Sequence, residues 1–513
     1  MSRLLVLVPT ILWFLWLDMA EPARENARSA VEPERLLLFL GGMLLAVVVA
    51  AYAAFRSARR DSMRRMGPSR TSTVLTALHR LALPAAMTWF GVGLFFLGWG
   101  DAVAALVEPA RPDVPPLRLP GLLLATLPAY ASWALLLAAE YPAVRQRRES
   151  RLLVDIDQGR PIYPPPPVLR YWTLALRQRL LFALVPLLVL MLVRDLAMLG
   201  AWAAGVTITG TLELWLFVAS ALVVISLSPE MVRRLLPTRP LPRGALRDRL
   251  EALCRSTGMP MRDVLIWDTD GGMVNAAVVG FLPGLRYVLL SDLLLDSMTP
   301  AQIEAVFAHE VGHVKHRHLL WYFVFLTGMT LFFAGPVEAA WRVMAGGLPQ
   351  WLIDGSGLEY AIGLGSLAVI LGLFGLLSRC FERQADVYAA RVMQAQAAIP
   401  MPAGAVPPTA LSVPGPVGPA GAEVFGSSLR QAARLNHLPI DRRPSRGGWL
   451  APVHWLSEQF THFLHGTIRS RIEYLEGLAR RPTQTYAFDL SIATVKLAVL
   501  AITVGSGTFL LWQ

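Results

Sequence analysis

Two histidines and a glutamate in one short segment have the types and spacing needed to hold a metal ion and act on a peptide. They lie in the sequence His309-Glu310-Val311-Gly312-His313. On a helix, residues four apart project from one face about one turn apart, so both imidazoles can reach one zinc ion. Glu310 points about 100° away around the helix, where it can act as a base on water without ligating the metal. The segment predicts a hydrolytic zinc site.

A third ligand is required, because catalytic zinc sites combine three protein ligands with one open position. Glu382 and Asp386 lie four residues apart in a polar segment that follows an apolar run. On a helix they share one face. We predict that Glu382 ligates the metal and that Asp386 hydrogen-bonds a ligating imidazole, as carboxylates commonly do. The predicted cofactor is one zinc ion per chain.

Local signals indicate the elements that carry these residues. Thr299 supplies a capping hydroxyl and Pro300 suits the first helical position, so a helix is expected to begin here and run to about His318. Upstream, Met273–Phe281 and Arg286–Leu290 flank a Pro-Gly turn signal. These two runs predict a β-hairpin just before the zinc helix.

The composition indicates that most of the chain lies in a bilayer. Of 513 residues, 54% are apolar and 16% charged, against roughly 25% charged in soluble proteins. The two cysteines exclude a disulfide scaffold. The predicted fold class is mainly α, a polytopic helical membrane protein with about nine spans and a small sheet in its protease core. The apolar runs lie near 3–19, 36–55, 84–107, 120–140, 180–200, 210–228, 319–341, 358–378 and 491–512.

Basic loops indicate the orientation of these spans. Residues 56–82 contain seven arginines and residues 141–179 contain eight, which predicts that both loops face the cytoplasm. By parity, residues 229–318 and 379–490 lie on the same side. We therefore predict a multi-pass protein of the cell (cytoplasmic or inner) membrane with its active site on the cytoplasmic side. Because the net charge of +11 comes from such loops, no nucleic-acid partner is predicted.

The chain divides into five predicted regions. An N-terminal membrane region is followed by a cytoplasmic protease segment, a two-span hairpin, a second cytoplasmic segment and a C-terminal span. The second cytoplasmic segment holds a flexible Pro/Ala/Gly insertion at about 394–423. Whether the first apolar run is a cleaved signal peptide stays open. The boundaries are 1–228, 229–318, 319–378, 379–490 and 491–513.

Several motifs, taken in order, resemble those of a known family. The chain is similar to the membrane zinc metalloproteases (gluzincins) of the CaaX prenyl protease type and the HtpX type. The similarity covers about residues 265–480. The matching motifs are Asn275-Ala276-Ala277-Val278-Val279-Gly280, His309–His313, Glu382-x-x-x-Asp386, and a histidine and an arginine six positions apart, His465 and Arg471.

The resemblance implies roles for these residues. The paired histidines and Glu382 would bind zinc, and Glu310 would pass the proton of water to the leaving amine. His465 and Arg471 would lie near the scissile carbonyl, where a cation stabilises the developing oxyanion. His462 is an alternative to His465.

The resemblance also implies a place for the substrate. Asn275 would bind the substrate backbone beside the strand 276–280, which contains Ala276, Val278 and Gly280. An edge strand offers unpaired N–H and C=O groups, so an extended peptide can dock as an added strand.

The predicted function is that of a zinc-dependent integral membrane endopeptidase, acting in membrane protein quality control or peptide processing. Its partners would be the bilayer and a peptide or membrane-protein substrate; the oligomeric state stays open. One alternative is an intramembrane site-2-type protease, which would take its third ligand from Ile353-Asp354-Gly355. Another is a non-catalytic sensor or scaffold stabilised by structural zinc, although such sites usually have four protein ligands.

Other charged residues in apolar surroundings are expected to be structural. His316 and His318, just after the zinc motif, are expected to form a polar collar at the membrane edge. Arg194 and Asp195, near a span end, are expected to pair or to extend toward the interface.

Overall fold

The computed structural model of the protein describes residues 7–20, 32–62, 82–107, 114–157, 159–347, 357–398, 415–436, 438, 440 and 466–512. These residues form two compact units. The first unit comprises Met1–Arg239, Trp267–Gly272 and Val279–Leu285. The second comprises Pro240–Ile266, Met273–Val278 and Arg286–Gln513.

The first unit is helical. A π-helical segment, Leu176–Leu181, joins its seventh and eighth helices. The helices are α1 (Val8–Ala20), α2 (Pro33–Ser62), α3 (Leu83–Phe96), α4 (Trp99–Val107), α5 (Arg118–Ala139), α6 (Tyr141–Asp157), α7 (Val168–Ala175), α8 (Phe182–Ala203) and α9 (Gly210–Leu235).

Most residues of a small four-stranded sheet belong to the second unit. Four strands pair in the order β1-β2-β4-β3, which leaves β3 at an edge. The strands are β1 (Thr238–Pro240), β2 (Asp263–Trp267), β3 (Ala276–Val279) and β4 (Tyr287–Ser291). The helices are α10 (Ala245–Ser256), α11 (Asp292–Ser297), α12 (Pro300–Lys315), α13 (His318–Phe332), α14 (Glu338–Ala345), α15 (Gly357–Ala397), α16 (Pro419–Leu435), α17 (Ile468–Arg480) and α18 (Gln484–Trp512).

Apolar helices account for all nine predicted spans. Among the described residues, seven helical segments are long and apolar enough to cross a membrane. An eighth is a bent pair, and the ninth apolar helix, Val8–Leu17, is shorter. The chain is a multi-pass helical membrane protein with a small sheet, which confirms the predicted fold class.

The predicted span 84–107 is broken into two helices, α3 and α4. Their axes differ by 64°. Gly98 lies at the break with a φ of 77°, a conformation that glycine adopts at little steric cost. The predicted span 84–107 therefore contains a bend that its hydropathy pattern does not reveal, because a glycine among apolar residues does not interrupt that pattern.

Arg194 and Asp195 form a buried ion pair in the first unit. Arg194 Nη1 lies 2.8 Å from Asp195 Oδ1, and Arg194 also contacts Glu213. Asp195 accepts hydrogen bonds from the backbone N–H groups of Arg118 and Leu119 at the start of α5, where a carboxylate favours the helix dipole. The pairing that we expected is confirmed.

The hairpin before the zinc helix is confirmed. Strands β3 and β4 are neighbours in the sheet and are joined by a 3-10 turn at Pro283–Leu285. Asn275 O accepts a 2.9 Å hydrogen bond from the Ser291 N–H, which fixes the register at the open end of the hairpin. The apolar side chains of the sheet join one core with α10, α12 and α15–α17.

The start of α12 follows the local sequence signals. Thr299 and Gln302 form a reciprocal capping box, with Pro300 at the first helical position. The helix ends at Lys315, three residues before the predicted end, because Arg317 adopts a left-handed conformation with a φ of 53°. His318 then begins α13 in a new direction.

Helix α15 is longer than either of the two elements predicted for its residues. The eighth apolar run and the polar segment with Glu382 form one helix of 41 residues. This helix extends to Ala397, and α16 begins at Pro419, so both ends of the predicted insertion 394–423 are helical. Residues 399–414 lie outside the described residues.

Candidate metal centre

The two histidines of α12 direct nitrogen atoms to one point. Nε2 of His309 and Nε2 of His313 lie 3.2 Å apart. His309 is 8% exposed, and its ring stacks on Phe425 of α16 at a centroid distance of 5.7 Å. The burial orients both rings toward α15 rather than toward solvent.

Glu382 of α15 meets the two imidazoles. One carboxylate oxygen lies 3.7 Å from His309 Nε2, and the other lies 3.7 Å from His313 Nε2. Two atoms bound to zinc at roughly 2.1 Å with tetrahedral angles are about 3.4 Å apart. The spacings of 3.2 to 3.7 Å fit this arrangement, so the three donors are compatible with one zinc ion.

Asp386 and Arg471 support this cluster from behind. Asp386 Oδ1 lies 2.9 Å from His309 Nδ1, the nitrogen opposite the converging one. Arg471 of α17 donates two hydrogen bonds to Asp386, at 2.8 and 2.6 Å, and its Nη1 lies 3.5 Å from Glu382. Asp386 is fully buried and Arg471 is 9% exposed, so the pair is shielded from water.

Burial also sets the electrostatics of α12. It raises the pKa of Glu310 to about 7, against the lowering effect of His309. A backbone N–H of β3, that of Val278, donates to the Glu310 carboxylate. Burial, together with the neighbouring His309, lowers the pKa of His313 to about 3, so His313 is neutral, as a metal ligand must be. Burial alone would lower the pKa of His309. The hydrogen bond and the negative charge of Asp386 have a larger effect in the opposite direction, so the pKa of His309 is raised.

Comparison with known proteins gives the same assignment. Residues 240–473 match the model of peptidase family M48. This segment is a peptidase family M48 domain. The family prediction made from the motifs is confirmed.

The relatives found include CAAX prenyl protease and HtpX homologues. A CAAX prenyl protease 1 homolog of Oryza sativa subsp. japonica is 29% identical over 197 residues, covering 34% of this chain and 44% of that protein. A protease HtpX homolog of Aeropyrum pernix is 30% identical over 206 residues, covering 37% and 61%. The chain thus spans about half the length of the curated relatives it matches. The crystal structure of S. mikatae Ste24p aligns with a TM-score of 0.44 and 16% identity, covering 86% of this chain and 99% of that chain.

Close helix packing in the M48 domain brings the three donors together. A Cβ atom at Gly312 would lie 3.1 Å from the Cα of Ala385 and 3.3 Å from the Tyr388 side chain. Such contacts are tighter than ordinary packing, so glycine lets α12 approach α15 at the level of the ligands. Gly312 directly precedes His313. Close packing of α12 against α15 requires glycine here, and the zinc motif alone does not indicate this requirement.

The predicted substrate strand lies at the edge of the M48 sheet. Asn275, Ala276 and Val278 lie at or in β3, and Gly280 follows it with a φ of 123°. The backbone N–H of Asn275 donates to Ser291 Oγ at 2.9 Å. The structure thus brings this segment beside Glu310, whereas substrate binding by these residues stays a prediction.

Asn436, at the end of α16, holds the start of this segment. Its side-chain amide accepts from the Val274 N–H and donates to the Val274 C=O, both at 2.8 Å. The amide therefore pairs with Val274 as a neighbouring strand would. Nothing in the sequence pointed to Asn436, which is 162 residues away from Val274.

Three predicted positions lie outside the described residues: His465, its alternative His462, and Asp354 of the rival motif. Arg471 lies within them and contacts two carboxylates. Its predicted role at the developing oxyanion stays a prediction.

His318 is the main site residue that sequence reasoning missed. The expectation of a polar collar is wrong for it, because its side chain is 1% exposed. Its Nδ1 lies 2.8 Å from Nδ1 of His313. The available signal was the concentration of four histidines within ten residues, 309–318.

Proposed function

We propose that this chain is a zinc-dependent integral membrane endopeptidase. The convergence of His309, His313 and Glu382 on one point, with Glu310 between the two histidines on the same helix, is the observation that carries the proposal. A hydrolytic zinc site has three protein ligands and one open coordination position, whereas a structural site usually has four protein ligands. Two imidazole nitrogens and one carboxylate fit the hydrolytic type. The M48 assignment of residues 240–473 supports the same reaction class.

The side chains have separate tasks in this reaction. Zinc, when bound, supplies a Lewis acid that polarises a carbonyl and makes water a better nucleophile. Glu310 takes the proton of the attacking water and delivers it to the leaving amine. Burial raises the pKa of Glu310 in the zinc-free protein, which is the direction expected for a group that accepts and then donates a proton. Asp386 orients His309 through its Nδ1.

We place the substrate beside β3. This strand lies at the edge of the sheet, so it can accept an extended peptide through backbone hydrogen bonds. The backbone N–H of Val278 that donates to Glu310 supports a scissile bond close to that carboxylate. In this proposal Asn275 and Gly280 lie at the two ends of the docking strand. Stabilisation of the oxyanion by His465 and Arg471 is proposed from the family resemblance.

The basic loops favour an active site on the cytoplasmic side of the cell membrane. Processing of a peptide or turnover of membrane proteins is the proposed biological role. Lys315 and Lys496 are the only lysines among 47 basic residues, a bias typical of GC-rich bacterial genes. A bacterial origin would argue against a prenylated peptide as the natural substrate.

The decisive experiment compares the purified wild type with Glu310→Gln in detergent or liposomes. The variant should retain one zinc ion per chain and lose hydrolysis of an unfolded model protein such as casein. The loss should be at least about 100-fold, because general base catalysis contributes at least that factor. Full activity of Glu310→Gln would contradict the proposal and leave a zinc-stabilised scaffold or a different enzyme.

The site-2-type alternative makes an opposite prediction about the third ligand. We expect Glu382→Ala to lose zinc and Asp354→Ala to retain it. Metal analysis of both purified variants decides between them, and zinc loss in Asp354→Ala alone would support the rival enzyme.

A further inference from the structure

A buried histidine lies directly behind the second proposed metal ligand. His318 is 1% exposed although it begins an apolar helix, α13. Its ring stacks on Phe381 of α15 with a centroid distance of 4.4 Å and an interplanar angle of 1°. The left-handed turn at Arg317 directs this ring back toward α12. The ring of His318 is therefore held in a fixed plane.

The two nitrogens of this ring make two different contacts. Nδ1 lies 2.8 Å from Nδ1 of His313, and Nε2 lies 3.0 Å from Oε1 of Gln384. Gln384 is 8% exposed. These contacts form a continuous chain from the buried side chains of Gln384 and His318 to the partly buried His313.

The acceptor at one end of this chain decides where the protons lie. An amide oxygen only accepts, so Nε2 of His318 must be the donor to Gln384. A neutral imidazole carries one N–H, so Nδ1 of His318 accepts. Nδ1 of His313 must then donate. This leaves the lone pair of His313 on Nε2, the atom that lies 3.2 Å from His309 Nε2 and 3.7 Å from Glu382.

We propose that His318 and Gln384 are positioning residues that fix the tautomer and ring angle of His313 for zinc. The inference rests on the proposed function, because it concerns the same metal centre. The two imidazole ligands are then oriented in different ways. His309 is held by a charged carboxylate, Asp386, paired with Arg471, whereas His313 is held by a neutral imidazole and a neutral amide.

A purely structural role for His318 is the competing explanation, since the ring also fills space against Phe381. His318→Phe separates the two, because it keeps an aromatic ring for the stack and removes both hydrogen bonds. Gln384→Leu tests the same chain from its other end and leaves the His318 ring in place. His316→Phe is the matched control: its ring contacts those of His318 and Tyr388, but it is not a member of the chain.

Two quantities are measured on the purified full-length protein. Competition with a chromophoric chelator gives its zinc affinity, and thermal unfolding gives the midpoints of the zinc-free and zinc-loaded forms. We expect His318→Phe and Gln384→Leu to weaken zinc binding roughly 10- to 100-fold, the usual effect of losing a partner behind a ligand. The zinc-free midpoint should also fall, because His313 or Gln384 loses a hydrogen-bond partner, but the midpoint of the zinc-loaded form should fall further. His318→Gln, whose amide oxygen can accept from His313, should recover part of the affinity, and His316→Phe should bind zinc normally.

Several results would overturn the inference. Wild-type zinc affinity in both His318→Phe and Gln384→Leu would do so, as would equal weakening in His316→Phe. Equal falls in the zinc-free and zinc-loaded midpoints, with unchanged zinc affinity of the folded protein, would assign His318 to packing. The outcome for the proposed function is separate: a wild type that binds zinc without cleaving peptides would overturn that function alone. A wild type that binds no zinc would overturn both.

Discussion

Replacing Asp386 by asparagine should weaken both the fold and the metal site. The substitution keeps the size of the side chain and removes its charge. Arg471, with 10% of its side chain exposed, would lose its closest partner and keep only Glu382 at 3.5 Å. Removing one member of a buried ion pair costs about 3–5 kcal/mol, because the other charge is left uncompensated. The remaining contact with Glu382 places the expected loss near the lower figure.

The same substitution acts on zinc through His309. Asp386 Oδ1 lies 2.9 Å from Nδ1 of that ring, and losing such a partner lowers metal affinity roughly 10- to 100-fold. This factor corresponds to about 1.4–2.8 kcal/mol of binding free energy. Zinc competition and thermal unfolding of Asp386→Asn, each with and without added zinc, measure the two effects separately.

The chain offers a matched control for this experiment. Asp489 and Arg391 form a second bidentate pair, with contacts of 3.2 and 2.6 Å, but 43% of the Asp489 side chain is exposed. The Arg391 side chain is also only 10% exposed, but water can reach its partner carboxylate and replace part of the lost contact. Asp489→Asn should therefore lower stability less than Asp386→Asn does and should not change zinc affinity. Equal zinc affinity in Asp386→Asn and Asp489→Asn would refute the reasoning about His309.

The remaining predictions concern helix packing, the edge strand and the metal. Gly421→Ala should lower the free energy of unfolding by at least about 1–3 kcal/mol, because the new Cβ would lie 2.0 Å from the Ala390 carbonyl oxygen. Gly477→Ala is its control, because nothing lies within 4 Å of a Cβ at that position. It should leave the unfolding midpoint unchanged or raise it. Asn436→Ala should raise KM for peptides more than it lowers kcat, because it frees the segment before β3 while leaving the zinc donors in place; an unchanged KM in steady-state assays would contradict this. Removing zinc with a chelator should lower the thermal midpoint of the wild type and leave that of Glu382→Ala unchanged, and re-addition of zinc should restore the wild type only.

Much of the site was predictable because its signals are local. A spacing of four residues on a helix brings His309 and His313 together, and the same spacing places Glu382 and Asp386 on one face. The capping residues Thr299 and Pro300 likewise marked the start of the helix. These patterns depend on helix geometry alone, so one sequence is enough to recognise them.

The contacts that the sequence did not reveal depend on breaks in that geometry or on distant segments. On a continuous helix, a residue five positions after His313 would lie about 140° around the axis, so His318 reaches its neighbour only because Arg317 turns the chain. Arg471 is 85 residues from Asp386. Such pairs follow from tertiary packing, which no periodicity records.

The third donor is carried by α15, after the apolar helix α13 and the segment that follows it. During synthesis, both histidines leave the ribosome about 70 residues before Glu382, since Glu382 lies 69 positions after His313. The nascent chain therefore has only two of the three donors until α15 has been synthesised. Under the proposed function, a copy in which α15 has not yet packed against α12 lacks its third zinc donor and is expected to be inactive toward its neighbours.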